Sequence, residues 1–157
     1  MKILGIDPGT ATTGYGVIES SGRKLRMIEF GCIKTSKDLK LPERLEEIYA
    51  DLSKLIKKHK PKSIAVESVF FYNNVKTAIA VAQARGVVLL CATMHKIPVL
   101  EFTPLQVKSS LTNFGQADKQ QVQYMVKTLL ALDTIPKPDD AADALALAIC
   151  GANHKKY

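Results

Sequence analysis

Lys2-Ile3-Leu4-Gly5-Ile6-Asp7-Pro8-Gly9-Thr10 opens the chain and decides how the rest is read. Its short apolar run is interrupted by Asp7 and stopped by Pro8-Gly9, the composition of a strand followed by a turn. A secretory leader needs a longer apolar stretch. Ser63-Ile64-Ala65-Val66-Glu67 repeats the pattern, a short buried strand closed by an acid. Period-2 alternation puts Ile3, Gly5 and Asp7 on one face of the first strand and Ala65 with Glu67 on one face of the second, so both carboxylates can look into one crevice. Gly5 and Ala65 leave room beside them. Asp140 and Asp143, three apart on one helix face, can present two more oxygen groups there.

Four like charges in one crevice cannot all stay ionised without a cation or a shared proton. Hard oxygen ligands of this kind suit Mg²⁺, with Mn²⁺ as a substitute. In a two-metal site the ions stand roughly 3.5 to 4 Å apart, one activating water and the other stabilising the leaving oxygen of a phosphodiester. His59, His95 and His154 are scattered among surface-like segments and are read as bystanders.

The surrounding elements follow from periodicity. Gly14 to Glu19 and Lys24 to Lys34 read as strands with a hairpin turn at Ser21-Gly22, giving three antiparallel strands. Leu45, Ile48, Leu52, Leu55 and Ile56 recur at helical spacing behind Pro42, and the helix ends by Pro61. A long helix over residues 74 to 96, a strand from Val99 to Phe102, and helices over Thr103 to Leu111, Asp118 to Leu132 and Asp140 to Ala152 complete the order. The expectation is an α/β fold: a ribonuclease H-like mixed five-stranded sheet, three strands antiparallel and then parallel ones, with helices on both faces. In such sheets ligands gather at the carboxyl ends of the parallel strands, where Asp7 and Glu67 stand.

At 157 residues and 46% hydrophobic, the chain suits one domain over residues 1–157, with a fraying tail from Asn153 to Tyr157. Its 22 Lys and Arg against 15 Asp and Glu give a formal charge of +7, which favours a polyanion such as nucleic acid. Cys32, Cys91 and Cys150 are odd in number and far apart, which points to unpaired thiols in a reducing cytosol. Gly86 to Met94 is the most lipid-like stretch and falls short of the roughly 20 residues of a spanning helix, so no membrane segment is expected.

Further strings recur around these acids: Thr13-Gly14-Tyr15-Gly16-Val17, Val66-Glu67-Ser68-Val69-Phe70, Gln83-Ala84-Arg85-Gly86, Ala117-Asp118-Lys119 and Asp140-Ala141-Ala142-Asp143-Ala144-Leu145-Ala146. With Gly5 to Thr10, this set resembles the RuvC family of Holliday-junction resolvases, in the right order over nearly the whole chain. The resemblance implies a Mg²⁺-dependent, cytoplasmic, homodimeric endonuclease. Such an enzyme nicks two opposing strands of a four-way junction symmetrically, in recombination and repair, beside a branch-migration complex of RuvA and RuvB. Asp7, Glu67, Asp140 and Asp143 fall on the family's catalytic and metal-binding carboxylates. Phe70 falls on its base-stacking aromatic, Lys108 and Lys119 on basic positions near the scissile phosphate, and Lys76 and Arg85 join them as DNA-binding candidates. Two departures stand out: Asn113-Phe114-Gly115-Gln116 replaces a glycine-rich turn, and Asp139 adds an acid one turn from Asp143, the family register favouring Asp140.

Other readings compete. Asp140 could cap the last helix with Asp143 completing the box, Phe70 could be core, and the lysines could be solvated charges. The long helix is apolar on almost every side, so it is either wholly buried or packed against a second subunit. At the level of function, the rivals are a nuclease acting on RNA/DNA hybrids, a non-catalytic DNA-binding module, and an actin-like ATPase or sugar kinase lobe, which Gly5 to Thr10 also resembles but which needs a second lobe.

Overall fold

The computed structural model describes residues 1–68 and 75–154. β1 (Lys2–Asp7), β2 (Thr12–Ser21) and β3 (Lys24–Lys34) form an antiparallel unit. The β2–β3 ladder closes at the Ser21–Lys24 pair, leaving Gly22 and Arg23 as the turn. Gly22 takes φ 61°, the positive value that the first central residue of a tight hairpin requires. β2 outruns the expected Gly14 to Glu19 because β3 offers it partners from Lys34 back to Lys24.

α1 (Leu41–His59) follows, ended by left-handed Lys60, whose N–H donates to the Ile56 carbonyl, and by Pro61. β4 (Ser63–Glu67) then returns parallel to β1, α2 (Val75–Met94) follows, and β5 (Val99–Phe102) pairs parallel to β4. The sheet order is β3-β2-β1-β4-β5, the mixed five-stranded arrangement the sequence leads one to expect.

Alternation along the strands sorts the interior into two cores. Leu4, Ile6, Val17, Ile64 and Val66 face α1 and α2 and meet Ile48, Leu52, Val88 and Cys91. Ile3, Ile18, Ala65 and Phe102 face the other side and meet α3 (Pro104–Thr112), α4 (Lys119–Leu129) and α5 (Asp139–Asn153). α5 lies on the sheet backbone to backbone. A Cβ at Gly5 would stand 1.9 Å from the Ala144 carbonyl oxygen, and one at Gly14 would stand 2.0 Å from that of Asp140. The room beside Gly5 is therefore filled by a helix.

The helix starts differ in a way that bears on the acids. Thr103 and Gln106 close a capping box on α3, as do Asp118 and Gln121 on α4, each cap contributing about 1 kcal/mol. α5 has Pro138 at its N-cap and no side-chain cap bond, so Asp140 is not a cap and that reading falls. α4 stops at Leu129 rather than Leu132 because Ala131 turns to φ 50° and Leu132 N–H donates back to the Lys127 carbonyl.

α2 is not wholly buried. Ala84, Val88, Cys91 and Ala92 face the core, while Val75, Ile79, Leu90 and Met94 are each more than half exposed. Its 20 residues are long and apolar enough to cross a membrane by length and composition, more than the Gly86 to Met94 stretch suggests. Here its inner side packs in the core that α1 shares. All three cysteines are free, Cys91 and Cys150 buried. His59, expected near the surface, is 6% exposed, with a ring nitrogen 2.9 Å from Glu29.

Gly5→Ala tests the helix–sheet contact. Its Cβ would strike backbone, which cannot swing aside, so we expect stability in urea to fall by about 1 to 3 kcal/mol or more. An unchanged denaturation midpoint would mean that α5 is not seated on β1 as described.

Candidate active site

Two neighbouring parallel strands end in acids. The last β1–β4 register pair is Ile6 with Val66, so Asp7 and Glu67 follow side by side at the carboxyl edge of the sheet. α5, seated on Gly5, brings Asp143 over that edge from its second turn. Lys119, the first residue of α4, and Lys108, on α3, close the other wall. These five residues line a cavity of about 220 Å³, with Val107, Val122 and Leu147 as its apolar side. Asp140 is not part of the lining. It stands half-buried beside Gly14, in electrostatic range of both Asp7 and Asp143.

The cavity holds its acids against their preference. Burial, then the charges of Asp143, Asp140 and Glu67, push the Asp7 carboxyl from 3.8 up to about 7. Burial and Asp143 raise Glu67, with Lys108 opposing. Burial raises Asp143 although Lys119 pulls the other way. Asp7 thus keeps a proton near neutrality because its neighbours are anions in a poorly solvated place.

Lys119 is held by two carboxylates, its Nζ lying 3.3 Å from Asp143 and 3.3 Å from Asp139. Asp139 is outside the cavity lining and is bonded to α4. Its Oδ1 accepts from the Gln123 amide at 3.1 Å and from Lys137 at 3.3 Å, and the Gln123 bond, then Lys119 and Lys137, keep its carboxyl below the usual range. Spacing alone left Asp139 and Asp140 open; neither lines the cavity, both act electrostatically on Asp143, and Asp139 is the one bonded to Lys119, Lys137 and Gln123. The unusual Asn113 to Gln116 loop is tightly built. Asn113 is left-handed at φ 57°, Thr112 Oγ1 accepts from Phe114 N–H, and Ala117 N–H donates to the Phe114 carbonyl. That turn delivers Asp118 to its cap and Lys119 to the cavity.

Not every DNA-binding candidate joins this group. Arg85 lies on α2, and its guanidinium donates from Nε to the Glu67 carbonyl at 3.2 Å and pairs with Glu101. Lys76 is exposed in the first turn of α2, apart from the cavity lining. Phe70 lies outside the described residues. Glu101 and Gln123 escaped the sequence reading. A lone acid in the apolar strand Val99 to Phe102 was the available signal for the first; nothing local marked the second.

The donors present are carboxylate oxygens without a thiol or imidazole among the lining, the chemistry that suits a hard divalent cation. Among the described residues no three acids, His or Cys are already drawn into a closed metal cage. Asp7, Glu67 and Asp143 line the cavity instead.

The family model described as "Crossover junction endodeoxyribonuclease RuvC" matches residues 3–151. A protein of that name from Thermosipho melanesiensis is 54% identical over 157 residues, covering 100% of both chains. One from Desulforamulus reducens is 56% identical over 152 residues, covering 97% of this chain and 93% of its own. The solved structure of Thermus thermophilus RuvC in complex with Holliday junction substrate superimposes with a TM-score of 0.90 at 36% identity, covering 96% of this chain and 92% of that one. A match of this extent in sequence and in fold settles the family: the chain belongs to the RuvC crossover junction endodeoxyribonucleases.

Proposed function

We propose that this protein is a cytoplasmic, divalent-metal-dependent endonuclease that resolves four-way DNA junctions, nicking two opposing strands symmetrically at the cavity of Asp7, Glu67 and Asp143 with Asp140 beside it. The observation that carries the reading is the convergence of acids from β1, β4 and α5 on one cavity that two lysines overlook. Mg²⁺, as two ions per site, suits these donors, and when bound it supplies Lewis-acid activation of water and charge neutralisation for an in-line phosphodiester cleavage.

The residues divide the remaining work. Asp7 and Glu67, fixed on adjacent strands, hold the ligand oxygens on a rigid base, and Asp143 and Asp140 approach from the helix. To hold a cation Asp7 would have to be ionised, since a ligating carboxylate is deprotonated. Lys119 and Lys108 face the phosphate and offset its charge. Phe70 is proposed to stack on bases at the junction centre, a contact worth roughly 1 to 3 kcal/mol per base. Lys76 adds a cation at the start of α2 for the DNA backbone.

A four-way junction presents two cut sites related by two-fold symmetry, and a second copy of this chain supplies the second cavity. The outer side of α2 is the surface for it. Val75, Ile79, Gly86, Leu90 and Met94 recur at spacings of four and seven residues along one exposed stripe. Gly86 sits mid-helix with open space where a Cβ would go. An exposed glycine there costs the isolated helix about 1 kcal/mol against alanine, and close approach of a partner helix is the reason to keep it.

Three experiments test these assignments. Purified protein incubated with a four-way junction, a linear duplex and an RNA/DNA hybrid should give paired symmetrical nicks only on the first and only with Mg²⁺. Asp7→Asn should lower that rate by several orders of magnitude while junction binding in EDTA holds or tightens. Cutting of the hybrid would favour the hybrid nuclease, and metal-independent nicking or none at all would end the present reading.

Thermal melting with and without Mn²⁺ probes the Asp7 proton. Between pH 4 and 7 the folded protein keeps a proton that the unfolded chain, with its aspartate near 3.8, has released. The stability tied to it is fully present below the unfolded value and is lost as pH rises through about 7. The stabilisation by Mn²⁺ should therefore be larger at pH 8 than at pH 5.5. At a hundredfold excess over Kd it amounts to about 2.7 kcal/mol, or about 5 to 10 °C in Tm. Equal shifts at both pH values, or a pH dependence that Asp7→Asn leaves undiminished, would contradict the assignment.

Light scattering should report a dimer, and Leu90→Lys should give a monomer that retains its helix content. A monomeric parent protein at micromolar concentration would remove α2 as the interface.

A further inference from the structure

Arg85 has no place in the cavity wall, yet its side chain is only 19% exposed and binds two partners. From α2 its Nε donates to the Glu67 backbone carbonyl at 3.2 Å, while its other terminus pairs with Glu101. Glu101 stands on β5 opposite Val66, and one step further Ser68 N–H donates to the Phe102 carbonyl at 2.8 Å. The β1–β4 ladder has already ended at Ile6 and Val66, so Glu67 lies past the last register pair on that side. The residue that presents a carboxylate to the cavity is thus at a strand end, where backbone is least constrained. On its other side Glu67 is paired with Phe102 of β5, an edge strand of four residues, so β5 and α2 are what hold this strand end.

We propose that Arg85, clamped by Glu101, is a positioning residue for Glu67: it ties the carboxyl end of β4 to α2 and β5 and so fixes the angle at which the Glu67 carboxylate meets an incoming cation. A charged planar donor suits this task, since a guanidinium can serve a backbone carbonyl and a carboxylate in one plane, which an ammonium cannot. Outer partners of metal-binding residues commonly change metal affinity by about 10 to 100-fold when removed. The inference rests on Glu67 as a metal-binding residue and gives Arg85 a different task from contact with DNA.

The test is Mn²⁺ affinity of the DNA-free protein, measured by the loss of free-ion electron paramagnetic resonance signal, alongside junction binding in EDTA as a function of salt. Glu67→Gln serves as the control. Arg85→Gln and Glu101→Gln should each weaken Mn²⁺ binding by about 10 to 100-fold, Arg85→Lys should rescue only part of it, and junction affinity and its salt slope should stay as in the parent. The double variant should be no worse than Arg85→Gln alone. Where Arg85→Gln unfolds the protein, which melting will show, Glu101→Gln carries the test, since it loosens the clamp and leaves the guanidinium in place.

Unchanged Mn²⁺ affinity in both single variants, with Glu67→Gln impaired, would overturn the clamp and leave the metal assignment standing. Unchanged affinity in Glu67→Gln would overturn that assignment and the clamp with it. A junction affinity that drops on Arg85→Gln, with a salt slope smaller by about one and Mn²⁺ binding intact, would return Arg85 to the DNA surface and overturn the proposal.

Discussion

Backbone contact between α5 and the first two strands is the constraint on which the site depends. Glycine at positions 5, 14 and 16 lets the helix lie on the sheet itself, closer than any side chain would allow. Ala144, the residue against Gly5, follows Asp143 directly, and Asp140, the residue against Gly14, is itself one of the acids. The helix therefore has no freedom to turn about its axis without lifting from the strands. Geometry at the carboxylates is inherited from main-chain packing, which is stiffer than packing of side chains.

The same contact explains the electrostatics. Four acids close to one another are unfavourable by themselves, and a looser protein would let them part. Here β1, β4 and α5 are held in place by a buried core on each face of the sheet, and burial with the neighbouring acids pushes the Asp7 carboxyl up to about 7. The chain as a whole carries a formal charge of +7 around that anionic cavity, which favours capture of a polyanion.

Much of this was readable along the chain because it follows from short periods. Alternation in Lys2 to Asp7 and Ser63 to Glu67 placed both acids on the face where they are found, and the hairpin and crossover gave the sheet order. What could not be read depends on tertiary partners. Asp139 and Asp140 are adjacent, and only the position of α4 with Gln123 separates them. Arg85 looked like one more surface cation until β5 brought Glu101 to it. His59 sits among lysines in sequence, but the helix end that carries it turns inward against Glu29. For α2, a composition apolar on nearly every side concealed which side would be left outside.

That outer side has one more implication. In a two-fold pair a residue near the axis meets its own copy, so any exchange there is made twice and confronts itself. A new charge is repelled by an identical one, and a new methyl group needs room for its twin. In the proposed dimer, drift along Val75 to Met94 is therefore tied to a two-fold fit that no single chain displays, and an alteration harmless to the lone protomer would still disturb the pair.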